Sequence, residues 1–275
     1  MQRFLLLTDN FKKIVYPAFV QEKIDGCRVN LIKEKGCVKV ITRYGNVLNL
    51  LDVCNDDFKV INEGEVWDGE ITFSCNRVKS NGIALKAIRG SISKEEAECC
   101  IIRVWDIVDN KNTYVDRLTK LTKRFENRSF RHLKLIETSI VKSYDEVDQF
   151  YTNIIKNGGE GCVVKNINSK WKDGRSFDCV KIKEKIILDG TVVSVVEGKD
   201  KYTGMLGSIK GIVVIDGIDR NITVGGGFKD IERRELWLDR DNIIGRPMKI
   251  ICNEVVRDVN GTFCFIYLAR FLKWI

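Results

Sequence analysis

The segment Lys23-Ile24-Asp25-Gly26-Cys27-Arg28 decides how the rest of this chain is interpreted. With average residue usage, the spacing Lys-x-Asp-Gly-x-Arg occurs by chance in well under about 1% of chains of this length. An Asp-Gly pair is also an ordinary turn between two strands, so the segment alone predicts no more than a turn with charged flanks. The interpretation therefore depends on the segments that follow it.

Five further segments with charged residues follow in order along the chain. They are Thr42-Arg43-Tyr44-Gly45, Asp68-Gly69-Glu70, Val104-Trp105-Asp106, Glu160-Gly161-Cys162-Val163-Val164-Lys165 and Lys181-Ile182-Lys183. In this order and at these spacings, the six segments resemble the motifs of the covalent nucleotidyltransferase superfamily. That superfamily comprises ATP-dependent DNA ligases, RNA ligases and mRNA-capping guanylyltransferases. The resemblance covers nearly the whole chain.

Five weaker details resemble DNA ligases, and among them the minimal viral or phage kind. One detail is that only 22 residues precede Lys23. The others are the segments Gly174-Arg175-Ser176, Leu206-Gly207-Ser208-Ile209, Val224-Gly225-Gly226-Gly227-Phe228 followed by Arg233-Arg234-Glu235-Leu236-Trp237, and Ile244-Gly245-Arg246. The resemblance implies an ATP-dependent DNA ligase that seals 5′-phosphate/3′-hydroxyl nicks in duplex DNA through a lysine–AMP intermediate.

The resemblance makes Lys23 the catalytic nucleophile. Its amine attacks the α-phosphate of ATP only when neutral, and about 0.1% of an ordinary lysine is neutral at pH 7.5. Nearby cations, desolvation and a metal-bound phosphate can lower a lysine pKa by about 2–3 units. Lys181 and Lys183 are two residues apart, so both face one side of a strand. We expect them to contact the ATP phosphates and to disfavour protonation of Lys23.

Acidic residues are expected to hold the metal and the ribose. ATP reacts as its magnesium complex, and Mg²⁺ takes carboxylate, phosphate and water oxygens as ligands. The resemblance implies that Glu160 holds Mg²⁺, with Asp68 and Glu70 as further ligands. It also implies that Glu70 and Arg28 contact the ribose hydroxyls of ATP. We expect the glycine beside each acid to let the backbone approach the ligand closely.

The remaining candidates concern the base and the DNA. By resemblance, Trp105 stacks on adenine, whereas an isolated tryptophan in a strand is more often a core residue. Gln21 is expected to accept from the adenine amino group through its side-chain or backbone carbonyl. Arg43 is expected at the ATP site and at the 5′-phosphate of the nick, with Arg175 as a second DNA contact, because a planar guanidinium suits phosphate. Either arginine alternatively lies on the surface in water.

Hydrophobic periodicity predicts the elements of the first two thirds of the chain. Alternation predicts strands, and apolar residues at helical spacing predict helices. The strands span 37–44, 66–73 and 101–108, and the helices span 117–125 and 143–157. Ser143 is expected to cap the second helix, and Glu146 to complete a capping box. We expect strands and loops in the remainder of this region.

After about residue 185 the pattern changes to short strands separated by glycines. The predicted strands are 190–196, 206–214, 221–224, 248–253 and 261–269, with one helix at 230–238. Five short strands and a small helix suit an OB-fold. The sequence therefore predicts an α+β chain. The family resemblance implies a nucleotidyltransferase (adenylation) domain with antiparallel sheets and flanking helices over 1–184, and we expect a C-terminal OB-fold β-barrel over 185–275. The boundary at Glu184-Lys185 is expected to be a hinge.

The composition of the chain is consistent with its resemblance to DNA ligases. The 275 residues are 44% hydrophobic and carry 46 basic against 38 acidic side chains, a net charge of +8 that suits a polyanion. No run approaches the about 20 apolar residues that a membrane span needs, and the apolar N-terminal run is too short for a secretion signal. We expect nicked duplex DNA as the partner, no membrane and a monomer. We expect a virus- or phage-encoded protein, not secreted, that acts at cytoplasmic or nuclear sites of DNA replication, repair and recombination.

The cysteines and the histidine are not expected to be functional. The ten cysteines include no Cys-x-x-Cys pair, which argues against zinc and favours reduced core thiols. His132 is the only histidine, and its basic, polar neighbours predict a surface position.

One departure from the family leaves alternatives open. Family members close with a basic-acidic-basic motif, whereas residues 267–275 resemble only the strand that leads into it. Either the protein lacks the motif or the sequence was cut, and without it we expect slow adenylylation of Lys23. The alternatives are an RNA ligase, a capping-type nucleotidyltransferase, or a non-catalytic nick-binding protein on the same fold.

Overall fold

The computed structural model describes residues 2–6, 14–74, 77–183, 185–258 and 260–275, and it describes only the backbone of residues 2–6 and of Arg175. The chain divides into two compact units, residues 1–184 and residues 185–275. We call them unit 1 and unit 2. Each unit has its own hydrophobic core.

Unit 1 contains two five-stranded sheets and four α-helices among its described residues. The strands are β1 (Gln2–Leu6), β2 (Ala18–Glu22), β3 (Cys27–Glu34), β4 (Cys37–Thr42), β5 (Val66–Thr72), β6 (Ile101–Ile107), β7 (Leu133–Leu135), β8 (Thr138–Val141), β9 (Gly161–Asn166) and β10 (Gly174–Lys183). The helices are α1 (Arg77–Arg89), α2 (Lys94–Glu98), α3 (Tyr114–Phe125) and α4 (Tyr144–Lys156). Sheet 1 has the strand order β1-β10-β9-β2-β8, and sheet 2 has the order β4-β3-β5-β6-β7.

Side-chain alternation in sheet 2 separates the core from the polar face. On β3 and β5, Val29, Leu31, Trp67 and Ile71 are fully buried in the main core of unit 1. Successive side chains of a strand point to opposite faces, so the residues between them face away from this core. Those residues are Arg28, Asn30, Asp68 and Glu70. The polar side chains of β3 and β5 therefore share one face of sheet 2.

The helices confirm the predictions in part. Ser143 caps α4, because its hydroxyl accepts from the Glu146 N–H at 3.2 Å. The predicted capping box is wrong, since the Glu146 carboxylate accepts from the Lys142 N–H at 2.8 Å. The expectation of only strands and loops is also wrong for α1 and α2. The Asn81-Gly82 pair inside α1 is typical of a turn, yet burial of Ile83 and its neighbours keeps the segment helical.

Unit 2 contains seven strands and one α-helix among its described residues. They are β11 (Ile186–Glu197), β12 (Leu206–Ile215), β13 (Ile218–Val224), α5 (Asp230–Leu238), β14 (Pro247–Cys252), β15 (Glu254–Arg257), β16 (Phe263–Tyr267) and β17 (Arg270–Trp274). The main sheet has the order β13-β12-β11-β14-β17, and β15 pairs with β16. A parallel bridge between Gly226 and Arg270 joins the chain just after β13 to the start of β17 and closes the barrel.

The predicted α+β class is confirmed, with sheets and flanking helices in unit 1 and the small five-stranded barrel expected of an OB-fold in unit 2. The helix α5 has the predicted bounds, whereas the predicted strand 261–269 is shorter, because Leu268 adopts a left-handed conformation at φ 52° and ends it. In the described part of the chain, none of the helices is both long and apolar enough to cross a membrane.

The predicted surface position of His132 is wrong. The residue is 2% exposed, and its backbone N–H donates to the buried Asp57 carboxylate at 2.6 Å. Its Nδ1 lies 2.9 Å from the Cys100 carbonyl oxygen, and the Cys54 and Cys100 sulfurs are 3.4 Å apart. The polar neighbours misled the prediction, since Arg131 and Lys134 point outward while the residues between them pack inward.

Candidate active site

One face of sheet 1 carries three rungs of residues across β2, β9 and β10. The registers of the two strand pairs define these rungs, and the Lys23 N–H continues the ladder by donating to the Gly161 carbonyl at 2.8 Å. The outer rung is Lys23, Gly161 and Lys183, the middle rung is Gln21, Val163 and Lys181, and the inner rung is Phe19, Lys165 and Cys179. The residues between them, including Val20 and Ile182, pack on the opposite face with α4.

The outer rung brings the predicted nucleophile and the predicted metal ligand together. The Lys23 ammonium forms a short ion pair with the Glu160 carboxylate, and both side chains are about one-fifth exposed. Glu160 occupies the residue before β9, directly ahead of Gly161. Gly161 has φ +147°, and a Cβ there would lie 2.1 Å from the Ile182 carbonyl oxygen. Gly161 therefore allows β9 and β10 to approach closely, and its expected role in backbone approach to the ligand stays a prediction.

Positive charges accumulate around this pair. Burial, together with the charges of Lys23 and Lys183, lowers the pKa of Lys181, and the charge of Arg43 acts in the same direction. Four of the predicted residues therefore lie close enough to repel one another. Such a cluster binds a polyphosphate well, because each phosphate charge relieves the repulsion between the cations.

Sheet 2 supplies the acidic candidates. Burial raises the pKa of the Glu70 carboxyl to about 7, while the cations of Lys23 and Arg28 oppose this rise. Both carboxylate oxygens of Asp68 bond to Arg28, one of them at 3.0 Å to the guanidinium Nε. Asp68 is fully buried, so its geometry suits the positioning of Arg28 better than direct contact with a metal.

Trp105 lies at a β-bulge in β6. Asp68 pairs with Asp106 and the adjacent Gly69 with Val104, which leaves Trp105 as the one extra residue on β6. A bulge redirects the side chains beside it, and bulges recur next to active sites. The residue is 5% exposed, and the Arg28 guanidinium carbon and the Lys165 ammonium each lie 5.4 Å from its ring centroid. This burial fits a core tryptophan as well as an adenine platform.

Gln21 is buried in the middle rung. Its side-chain nitrogen donates to the Tyr114 hydroxyl at 2.9 Å and to the Thr138 hydroxyl at 2.8 Å. Both of its N–H groups are therefore used within the protein. An adenine contact is left to a carbonyl oxygen, either of the side chain or of the backbone.

The two arginine candidates differ in what can be described. Arg43 directly follows β4, is exposed, and lies with its guanidinium carbon 4.6 Å from the Tyr44 ring centroid. The positive charge of Arg43 acts to lower the pKa values of Lys181 and Cys27. The side chain of Arg175 lies outside the described part of the chain, although its backbone pairs with Arg3. Only Arg43 can therefore be placed beside the outer rung.

Comparisons with known proteins fit this geometry. A family model described as the ATP dependent DNA ligase domain matches residues 2–183. The chain belongs to this family. The DNA ligase of Enterobacteria phage T4 is 25% identical over an alignment that covers 88% of this chain and 61% of the phage protein. The chain thus spans about three fifths of the length of that relative.

Solved structures share the ligase fold. A structure named Pmar-Lig_PreS3 has a TM-score of 0.85 and 21% identity, over 99% of this chain and 67% of that one. A structure from a study of Lig E DNA ligases, described as DNA binding with a minimal scaffold, has a TM-score of 0.75 and 19% identity. The match covers 100% of this chain and 98% of that chain. At this level of identity the likeness concerns the fold.

Two groups in the ligase domain were missed by the sequence reasoning. Tyr114 and Lys165 are buried, and the Lys165 ammonium donates to the Tyr114 hydroxyl at 3.0 Å. Asp106 and Arg117 form a buried ion pair with two hydrogen bonds, at 2.8 and 3.0 Å. Lys165 and Asp106 stand inside recognised motifs, so their motif positions were a usable signal. For Tyr114 the sequence offers no signal, because the predicted helix begins at residue 117, whereas α3 begins at Tyr114.

Proposed function

We propose that this chain is an ATP-dependent DNA ligase that seals 5′-phosphate/3′-hydroxyl nicks in duplex DNA through a Lys23–AMP intermediate. The outer rung carries the proposal, because Lys23 pairs with Glu160 beside Lys183 and close to Lys181. This combination of a nucleophile, a carboxylate and phosphate-binding cations is what nucleotidyl transfer to lysine requires. The family of the chain and its phage relatives support the same activity.

The first step forms the lysine adduct. The neutral Lys23 Nζ attacks the α-phosphorus of ATP, a P–N bond forms, and the P–O bond to pyrophosphate breaks. Lys23 must first release its proton and leave Glu160 before its lone pair can reach the phosphorus. Lys181 and Lys183 then stabilise charge on the phosphates. Positioning and electrostatics supply most of the rate enhancement in reactions of this kind.

A magnesium ion fits the acidic side of this site. Glu160 and Glu70 offer carboxylate oxygens. Burial raises the pKa of Glu70, the charge of Glu160 adds to that rise, and a bound cation would oppose both. When bound, Mg²⁺ would neutralise phosphate charge. Asp68 fits this role poorly, because Arg28 occupies both of its oxygens.

The later steps use DNA. AMP passes from Lys23 to the 5′-phosphate of the nick, the adjacent 3′-hydroxyl then attacks that phosphorus, and AMP leaves. We propose that Arg43 holds the 5′-phosphate, with Arg175 as a second contact. We assign adenylylation and the 5′-phosphate contacts to residues 1–184 and further DNA contacts to the OB-fold of residues 185–275, with the chain acting as a monomer in phage DNA replication or repair. The Lig E description of DNA binding with a minimal scaffold supports the DNA-binding part of this proposal.

One set of assays tests the proposal against its alternatives. The chain is incubated with Mg²⁺ and labelled ATP or GTP, and then with nicked DNA or nicked RNA duplexes. We expect labelling by ATP and sealing of the DNA nick. Labelling by GTP would indicate a capping-type enzyme, and preferred sealing of RNA an RNA ligase. DNA binding without any adduct would indicate a non-catalytic nick-binding protein.

A further inference from the structure

The Tyr114 hydroxyl is the centre of a buried hydrogen-bond network below the nucleotide site. It accepts from the Gln21 side-chain nitrogen at 2.9 Å and from the Lys165 ammonium at 3.0 Å. It donates to the Trp105 carbonyl oxygen at 2.8 Å. A hydroxyl has one donor and two acceptor positions, so all three are used. Tyr114, Gln21 and Lys165 are 1%, 1% and 3% exposed.

The bond to Trp105 falls at the irregular point of β6. Trp105 is the extra residue of the bulge, and the ladder residues that pair with β5 are Val104 and Asp106 on either side. A bulged residue stands outside the regular ladder, so its backbone groups take partners from elsewhere. The Tyr114 hydroxyl supplies one for the carbonyl. Helix α3 thus fixes a peptide group whose position determines where the Trp105 ring lies.

The network also connects Trp105 to the strand of the nucleophile. Gln21 lies two residues before Lys23 on the same face of sheet 1, and Lys165 lies one rung further in. The Lys165 ammonium is 4.4 Å from the Tyr114 ring centroid and 5.4 Å from that of Trp105. Residues of sheet 1 and of sheet 2 therefore both hydrogen-bond to one hydroxyl that α3 carries.

We propose that Tyr114 is a positioning residue for recognition of the base. Its hydroxyl holds the bulge at Trp105 in a fixed position relative to the strand that leads to Lys23. This inference rests on the proposed use of ATP. Phenylalanine would fill the same volume, so the packing of Phe19 and Leu118 against the ring does not require the hydroxyl. The hydroxyl is needed only to hold Trp105 and to satisfy two buried donors.

The test measures ATP and inorganic triphosphate binding separately. Calorimetry of Tyr114→Phe should show ATP binding weakened by about 5- to 30-fold, since a buried bond is lost and donors are left unsatisfied. Triphosphate binding, which uses no base contact, should change by less than about twofold. The maximal rate of Lys23 adenylylation should stay within about threefold of wild type, because the outer rung is untouched.

Two further variants keep the test decisive. Tyr16→Phe makes the same chemical change at another buried hydroxyl of unit 1 and should leave ATP binding unchanged. If Tyr114→Phe does not fold, Lys165→Met removes the other donor to the hydroxyl at a residue with no proposed contact to ATP, and it should weaken ATP binding in the same direction without affecting triphosphate.

The outcomes separate this inference from the proposed function. Equal weakening of ATP and triphosphate binding, or unchanged ATP binding in a folded Tyr114→Phe protein, would overturn the positioning role. A wild-type chain that binds ATP but forms no lysine adduct would overturn the ligase proposal, while the calorimetric comparison would still decide the role of Tyr114. A wild-type chain that binds no ATP would overturn both.

Discussion

Two lysines on one face of sheet 1 lie in different surroundings. The Lys23 side chain is 19% exposed and pairs with the Glu160 carboxylate, whereas Lys165 is 3% exposed and donates to the Tyr114 hydroxyl. Burial lowers the pKa of Lys165 to about 8, yet no phosphate can reach its ammonium beneath Trp105 and Tyr114. A lowered pKa therefore does not identify the nucleophile here, and access to the ligand does.

The largest effect is expected from substituting Lys23, the lysine of the outer rung. Lys23→Ala and Lys23→Arg should each abolish sealing of nicks with ATP, because alanine has no amine and arginine stays protonated. Lys165→Met keeps the volume of the inner lysine and should leave sealing within about tenfold of wild type. Gel assays of nick closure check both. Loss of sealing in a folded Lys165→Met protein, with retention in Lys23→Arg, would reverse the assignment.

The next prediction concerns the DNA side of the outer rung. Arg43→Ala should slow AMP transfer to the 5′-phosphate by about 10- to 150-fold, the range for losing one charge-assisted contact. Adenylylation of Lys23 should remain nearly intact. Single-turnover assays that begin from the preformed adduct separate these steps. The role of Arg43 is wrong if adenylylation is blocked while nick binding and transfer stay normal.

A third prediction decides between the two interpretations of Trp105. If the ring stacks on adenine, Trp105→Ala should weaken ATP use by about 1–3 kcal/mol, and Trp105→Phe should have a mild effect. If Trp105 is only a core residue, Trp105→Ala should lower the melting temperature without a specific change in ATP affinity. Thermal unfolding and ATP titration of the same samples distinguish these results.

The last prediction concerns the inner lysine, and its measured effect is on stability and not on activity. The folded-state pKa of Lys165 is about 8, below its ordinary value, so the unfolded chain binds more protons between about pH 8 and 10.5. The contribution of Lys165 to stability therefore increases with pH across this window, by roughly 3 kcal/mol at most. Urea unfolding of wild type and Lys165→Met checks this difference. An identical pH dependence in the two proteins would contradict the lowered pKa.

The residues of the outer rung of sheet 1 were predicted from the sequence better than the contacts of the middle and inner rungs. Lys181 and Lys183 share a face because strand periodicity is local, and the order of the motifs along the chain links Lys23 to Glu160. Tyr114 and Thr138 reach Gln21 from distant parts of the chain. Such contacts depend on which strands are neighbours, and alternation within a strand does not reveal that.

The fold shows the same limit. Helix α5 and eight of the seventeen described strands follow from periodicity, whereas α1 was missed because Asn81-Gly82 favours a turn locally and only tertiary burial overrides it. The bulge at Trp105 was missed for a related reason. One inserted residue breaks the alternation, and its position depends on the partner strand.

The most direct test of the central claim is the intact mass of the chain, with peptide mapping, after incubation with ATP and Mg²⁺. We expect the chain to gain the mass of one adenylyl group (AMP minus water), the modified peptide to contain Lys23, and Lys23→Arg to gain nothing. An unmodified wild-type chain, or AMP mapped to Lys165 or any other lysine, would contradict that claim.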